Sequence, residues 1–346
     1  MFYSIKSKIE KELSSYIRNL DSLYRLQKIS PLLFNNIKDF LLRKGKRIRP
    51  TLFVIGYLGF AKKETPGLYR SAVSLELLHD FMLVHDDIID KSELRRGEPS
   101  MHRIFNRYLC RYKNLRFSGQ DLTIVAGDVM YAMALDAFLA IKENPARKEQ
   151  ALKKLISAAL YTGSGEFIEL LSGMTDLNRI TRKDIFQIYD LKTANYTFAS
   201  PLSIGATLAG ASKKELNKLF AYGTLVGRAF QIKDDIIGIF GRESETGKSN
   251  LTDIKEGKKT LLIWHTYNNA DKKQKLFIKN TFSKKDISSA DFKKIRELIF
   301  ANKALDETKK EINLLLLKAQ RLIKSSKINS LYKEPLHNYI KAVLSL

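Results

Sequence analysis

The sequence predicts an all-α protein folded as one domain over residues 1–346, and three observations predict it. Turn formers are scarce: seven of the 346 residues are proline and 18 are glycine, against the ~5% and ~7% of average chains. Apolar residues recur at helical spacing in nearly every window. Strand signals are weak, with little strict alternation and no Asn-Gly or Asp-Gly turn between β-branched runs.

The elements follow in chain order. Phe40, Leu41 and Leu42 precede a basic knot, KGKRIRP (44–50). Residues 71–90 form a long apolar-rich stretch without Gly or Pro, which reads as a helix. Residues 122–142, 150–162, 183–198, 213–240 and 258–268 repeat the pattern. Gly45, Pro50, Pro66-Gly67, Gly97 with Pro99, Gly119, Pro145, Gly163 with Gly165, Gly241 and Gly247 punctuate these runs and read as loop positions. There is no internal repeat and no flexible linker that would mark a domain boundary.

Composition excludes several classes. An apolar fraction of 44% is too high for global disorder, despite a net charge of +23. A single cysteine, Cys110, excludes an internal disulfide framework and a Cys-rich zinc site, and points to a reducing compartment. No apolar run reaches the ~18 residues of a membrane span, so stable membrane insertion is not expected. The charged N-terminus lacks a signal-peptide core. These features read as a cytoplasmic protein. The positive charge suits nucleic acid, an anionic membrane surface or anionic substrates. The lysines are spread along the whole chain, so a solvated surface is the simpler reading. Basic and aromatic residues interleave only weakly, around 107–117, and no nucleic-acid partner is expected.

Two acidic clusters carry the chemistry. Asp86 and Asp90 lie one helical turn apart on a shared face, with Asp87 between them. Such a pair repels by ~0.2–0.5 kcal/mol even when solvated. Acids are disfavoured at a helix C-terminus, so a cluster at that end of an apolar helix suggests function rather than stability. Hard oxygens with room for water and phosphate suit Mg²⁺. The second cluster, FQIKDDIIG (230–238), places Asp234 and Asp235 on another apolar helix, with Gln231 one turn before Asp234. The two clusters are expected to be facing walls of one cavity.

Cationic residues come in short sets: Lys46, Arg47 and Arg49; Arg95 and Arg96; Lys192 beside Thr193; Lys248; and Lys258. Arginine matches phosphate oxygens with a planar fork, and lysine acts as a point charge. Each alone reads as a surface charge; with two Mg²⁺-type clusters they describe a diphosphate site. No GxxxxGK[ST] or GxGxxG fingerprint is present, which points away from nucleotides. His79 lies two turns before Asp86 and is either a buried neutral imidazole or a donor to a diphosphate.

These landmarks resemble the trans-isoprenyl diphosphate synthases, the polyprenyl synthetase family. The matching segments are GKRIRP (45–50), LLHDFMLVHDDIIDKSELRRGEPSMH (77–102), AGD (126–128), KTA (192–194), FQIKDDIIG (230–238) and GKSNLTDIKEGKKT (247–260). They occur in family order over roughly 40–265, and as a set they are highly specific. The resemblance is greatest to archaeal-type short-chain geranylgeranyl and farnesyl diphosphate synthases. It implies an isoprenoid synthase bundle around a deep central cavity, usually a homodimer. The implied reaction condenses isopentenyl diphosphate with an allylic diphosphate (dimethylallyl, geranyl or farnesyl) and uses three Mg²⁺ ions. By position, Asp86, Asp90 and Asp234 resemble the metal ligands. Arg95, Lys192, Gln231, Lys248 and Lys258 match the allylic diphosphate site. Gly45, Lys46, Arg49, His79 and Arg96 match the isopentenyl diphosphate site. Thr193 matches a residue whose oxygen faces the developing cation.

Product length is a question of geometry. A helical turn rises ~5.4 Å, close to one isoprene unit. Met82 sits one turn below Asp86, with Phe81 beyond it, and a ring there is either a floor under a short tail or simple core packing. The resemblance implies a C20 product, with C15 or C25 as alternatives and a non-catalytic subunit of a heteromeric synthase as a weaker one. A terpene cyclase would not need the Lys46, Arg49 and Arg96 set. Four features depart from the family pattern: Gly238 replaces the third aspartate of the second motif, Glu166 stands where many members have Gln, the stretch from His102 to Asp128 is longer than usual, and the ending NYIKAVLSL lacks the arginines common in relatives.

Overall fold

In the computed structural model, residues 1–241, 254, 256–284 and 286–344 are described. The expectation of an all-α fold holds: the described residues are helical apart from loops and one hairpin of two-residue strands. The chain divides into two compact units, Met1–Leu152 with Ile204–Gly210, and Lys153–Ser203 with Ala211–Leu346.

The first unit contains α1 (Phe2–Tyr24), α2 (Leu26–Ile29), α3 (Pro31–Leu42), α4 (Ile48–Leu58), α5 (Leu68–Ile89), α6 (Met101–Leu109) and α7 (Gly119–Phe138). It is built around α5. Every residue of α5 from Ser71 to Leu78 is buried, the polar Ser71, Ser74 and Glu76 included. Its buried hydroxyls are satisfied locally: Ser71 donates to the Phe138 carbonyl at 2.7 Å and Ser74 to the Ser71 carbonyl at 2.6 Å. Helix α7 runs along α5, and α1, α4 and α6 also pack on it. Gly127 on α7 permits that approach, because a Cβ there would lie 2.2 Å from the His85 ring.

A two-stranded hairpin follows α5, pairing β1 (Leu94–Arg95) with β2 (Glu98–Pro99). Its turn residues, Arg96 and Gly97, have φ of 57° and 80°, the left-handed pair of a type I′ turn. Two-residue strands are too short to leave an alternation in the sequence, so this segment reads only as a loop there. The stretch flagged as longer than usual ends α6 and continues as an exposed loop over residues 110–117.

Helix α8 (Pro145–Gly173) follows. Gly163 and Gly165, read from the sequence as loop positions, lie inside it. Gly165 is needed for contact rather than for turning: a Cβ there would come within 2.8 Å of the Lys192 backbone nitrogen.

The second unit is organised around α11 (Lys213–Phe240), which matches the predicted 213–240. The predicted helix 183–198 is α-helical only over α9 (Arg182–Ile188); Tyr189–Ala199 winds as a π-helix and continues into α10 (Ser200–Leu208). The π segment lies against α11 at Gly223 and Gly227, where added Cβ atoms would sit 2.4 Å from the Ala199 Cα and 2.3 Å from the Ala194 Cα. Helix α12 (Leu261–Asn268) starts at a Thr260 cap. After it come α13 (Lys272–Phe282), α14 (Ser289–Ala301), α15 (Ala304–Ser325) and α16 (Ser330–Leu344). Helices α12, α15 and α16 all pack on α11.

Candidate active site

In the first unit, α5 carries two rows of polar side chains. Glu76, Asp80 and Asp87, at spacings of four and seven, are buried. His79, Met82, Asp86 and Asp90 form the adjacent row and are half-buried. The buried acids are held by arginines. Arg47 is bonded to Glu76 Oε1 at 2.5 Å and to Glu10 Oε1 at 2.9 Å. Arg96 Nη2 donates to Asp80 Oδ1 at 2.8 Å and to Glu76 Oε1 at 3.3 Å. Arg95 Nε donates to Asp87 Oδ1 at 2.8 Å, and its Nη2 contacts the same oxygen. Burial and the neighbouring Glu76 push the Asp80 carboxyl up, with Arg96 and Arg47 opposing.

That pairing separates the three aspartates of the first cluster. Asp87 is fully buried and turned to Arg95, while Asp86 and Asp90 remain half-exposed at the end of the helix. The left-handed backbone at Arg96 is the kind of strain that persists where the surroundings fix it. Here two carboxylates on α5 do so. Among the described residues, Arg96 Nη1 is buried without a hydrogen-bond partner.

Burial and the guanidinium groups of Arg49, Arg96, Arg95 and Arg47 hold the His79 imidazole well below the usual range. Of the two sequence expectations for His79, this environment favours the neutral imidazole. Arg49 is half-buried, Lys46 is exposed, and Gly45 is half-buried with its Cα region against the Arg47 guanidinium. Arg47, counted from the sequence among the cationic anion ligands, is instead buried in the α5 network, with further bonds to the Leu41 and Arg43 carbonyls at 3.1 and 2.8 Å.

Phe81 is half-buried and in ring contact with Tyr131 of α7 (centroids 5.3 Å apart) and with His85 (4.8 Å). His85 is tied to the Phe81 carbonyl through Nδ1 at 2.9 Å. Tyr131 escapes a sequence reading because nothing local to 126–133 ties it to residue 81.

In the second unit, the π segment carries Lys192 and Thr193. Such windings recur at functional sites. The Lys192 ammonium lies between two α8 carboxylates, bonded to Glu169 Oε2 at 2.5 Å and in contact with Glu166. Glu166, a departure from the family pattern, thus has a cation partner, and Glu169 was missed by the sequence reading. Thr193 Oγ1 donates to Gln231 Oε1 at 2.6 Å, and Gln231 Nε2 donates to Asp235 Oδ1 at 2.9 Å. Asp235 is buried and Asp234 exposed. Lys258 is bonded to Glu256 Oε2 at 2.7 Å. Lys248 lies outside the described residues.

Among the described residues, no three His, Cys, Asp or Glu side chains are grouped to hold a metal ion by themselves. Asp86 and Asp90 are hard oxygen donors with solvent access. They fit a divalent cation that completes its shell with phosphate oxygens and water.

In the first unit a largely helical scaffold thus brings Arg95 and Arg96, bonded to Asp87 and Asp80, to the helix that ends in the half-exposed Asp86 and Asp90. Residues 30–299 match the family model described as polyprenyl synthetase. The short chain isoprenyl diphosphate synthase of Methanocaldococcus jannaschii is 30% identical over 296 residues, 86% of this chain and 82% of that protein. The geranylgeranyl diphosphate synthase of Saccharolobus solfataricus is 33% identical over 265 residues, 74% and 72% of the two chains. The crystal structure of a geranylgeranyl pyrophosphate synthase from Corynebacterium glutamicum, complexed with isoprenyl diphosphate and magnesium, superposes with a TM-score of 0.87 at 27% identity, covering 99% and 98% of the chains. The chain belongs to the polyprenyl synthetase family, and the enzyme class this defines is prenyltransferase.

The His79 environment has a sign that can be checked. Its neutral form is favoured in the folded state, while an unfolded histidine binds a proton below about pH 6.5. Any stability linked to this group is complete above that value and declines as pH falls through it. Imidazole NMR signals should show His79 still neutral at pH 6; an ordinary titration near 6.5 would contradict the assignment.

Proposed function

We propose that this chain catalyses the Mg²⁺-dependent head-to-tail condensation of isopentenyl diphosphate with allylic diphosphates, and that its main product is C20 geranylgeranyl diphosphate. The observation that carries the reading is the pairing of Arg95 and Arg96 with Asp87 and Asp80 on the helix that ends in the half-exposed Asp86 and Asp90. The match over 30–299 takes in both aspartate clusters, which supports a role for Asp86, Asp90 and Asp234 on one allylic diphosphate.

In this reading Asp86, Asp90 and Asp234 would hold Mg²⁺, three ions in all with the allylic diphosphate bound, and the metal would supply neutralisation of the leaving group's charge. Arg95, Lys192, Lys248 and Lys258 add fixed positive charge around the same group. Arg49, Arg96, Lys46 and His79, with the backbone at Gly45, bind isopentenyl diphosphate; the partnerless Arg96 Nη1 is a donor that a phosphate oxygen would satisfy. Thr193 and Gln231 direct oxygen toward the allylic cation as it forms. No general acid–base pair is required of the side chains, because the released diphosphate can take the proton.

Phe81 sets product length in this reading, with Met82 beside the growing tail. The Phe81 ring is braced by Tyr131 and His85, which suits a fixed floor better than a movable one. The reading also includes a homodimer. Ile156, Leu160, Phe167, Leu170 and Met174 are exposed at alternating three- and four-residue spacings along and just beyond α8, with Gly163 completing the row. A row of that kind suits packing against a second copy of the same helix. No helix of the described residues is long and apolar enough to cross a membrane, and the reading places the enzyme in the cytoplasm.

Incubation with labelled isopentenyl diphosphate, Mg²⁺ and dimethylallyl, geranyl or farnesyl diphosphate should give C20 product from each primer. Phe81→Ala should shift the product to C25 or longer. No product from any primer would overturn the reading, and an unchanged length in the variant would remove Phe81 as the floor. Phe167→Glu should convert the dimer to monomer by light scattering; an unaltered mass would exclude the α8 row as the interface.

A further inference from the structure

The second aspartate of the 234–235 pair faces away from solvent and into a hydrogen-bonded chain that the proposed reaction has not yet used. Asp235 is buried, and its Oδ2 accepts from the Tyr189 hydroxyl. Tyr189 is itself fixed, because its oxygen accepts from the Leu261 backbone N–H at 2.9 Å. Burial and the Asp235 charge push the Tyr189 phenol far above its usual range, so it stays a donor. The other carboxylate oxygen, Oδ1, accepts from the Gln231 amide nitrogen at 2.9 Å.

A carboxylate has no hydrogen to give, so it imposes a direction on everything bonded to it. Gln231 must present Nε2 to Asp235, which leaves Oε1 facing Thr193. Thr193 must then donate its hydroxyl hydrogen to Oε1, and it does so at 2.6 Å. With its hydrogen committed, the Thr193 oxygen can turn only lone pairs toward a bound substrate. Were Gln231 flipped, its NH₂ would donate to Thr193, and the hydroxyl hydrogen would be released to point at the reacting carbon. That orientation would repel a developing cation instead of stabilising it.

We infer that Tyr189 and Asp235 are positioning residues that fix the polarity of the Gln231–Thr193 pair, so that Thr193 presents lone pairs to the allylic cation. This inference rests on the proposed prenyl transfer. It assigns Asp235 a task different from that of its neighbour Asp234, and it gives the buried Tyr189 a role that the family landmarks in the sequence do not suggest. The π winding supports it, since it brings Tyr189 and Thr193, four residues apart, onto a single chain of bonds running to α11.

The test is a double-mutant cycle on the whole enzyme with geranyl diphosphate and isopentenyl diphosphate. Tyr189→Phe removes only the hydroxyl, and it should lower kcat about 10- to 100-fold with KM for both diphosphates within about twofold. In a Thr193→Val background the same change should cost less than about threefold, because residues acting through one partner are not additive. Asp235→Asn, whose amide can rotate and release the direction of the chain, serves as the second variant and should behave in the same way. Full kcat in both variants, or equal losses with and without Thr193, would overturn the inference while leaving wild-type condensation intact. Absence of condensation in the wild type would instead overturn the reading on which it rests.

Discussion

The arrangement depends on how α5 carries charge through a protein core. Glu76, Asp80 and Asp87 are buried on one row of a helix whose N-terminal half is otherwise apolar. Leaving Glu76 or Asp87 ionised and unpaired would cost about 3–5 kcal/mol, and the Asp80 carboxyl, pushed up to about 8 by burial and Glu76, still needs its hydrogen-bond partner. Arg47, Arg96 and Arg95 remove that cost. To do so, the 45–49 loop and the hairpin turn at 96–97 must both close on α5. The pairing therefore sets the backbone that also carries Arg49 and Lys46, and it sets the left-handed conformation of Arg96. The surface positions of Arg49 and Lys46 are thus tied to charge pairing beneath them.

The same logic divides neighbouring residues of like type. Asp86 and Asp87 are adjacent, yet one is half-exposed and the other is bonded to Arg95. Asp234 and Asp235 repeat the division on α11, the first exposed and the second bonded to Tyr189 and Gln231. In each pair, helical geometry turns one carboxylate outward and the next inward. The outward member reaches solvent, and the inward member is bonded to the cationic or hydrogen-bonding groups around it.

Much of the site was legible in the sequence because its parts are local. Aspartates one turn apart, a Gly-opened basic loop and paired arginines just after an acidic helix end can all be read over ten or twenty residues. The long helices were legible for the same reason, and α11 fell on the predicted residues. What was not legible depends on contacts between distant segments. Arg47 looks like its cationic neighbours until Glu10 and Glu76 are seen to enclose it. Glu169 and Tyr131 carry no local signal linking them to Lys192 and Phe81. Gly163 and Gly165 read as punctuation, although the latter serves a helix–backbone contact. The π winding of 189–199 has the same apolar spacing as an α-helix, so periodicity could not separate the two.

The proposed prenyl transfer requires Asp86 and Asp234 to bind an allylic diphosphate through divalent metal. Calorimetric binding of an unreactive allylic thiolodiphosphate, measured with Mg²⁺ and again in EDTA, tests it most directly. The account predicts Mg²⁺-dependent binding that weakens by at least about tenfold in Asp86→Ala and in Asp234→Ala. Equal affinity in Mg²⁺ and EDTA, or no loss in either variant, would contradict it.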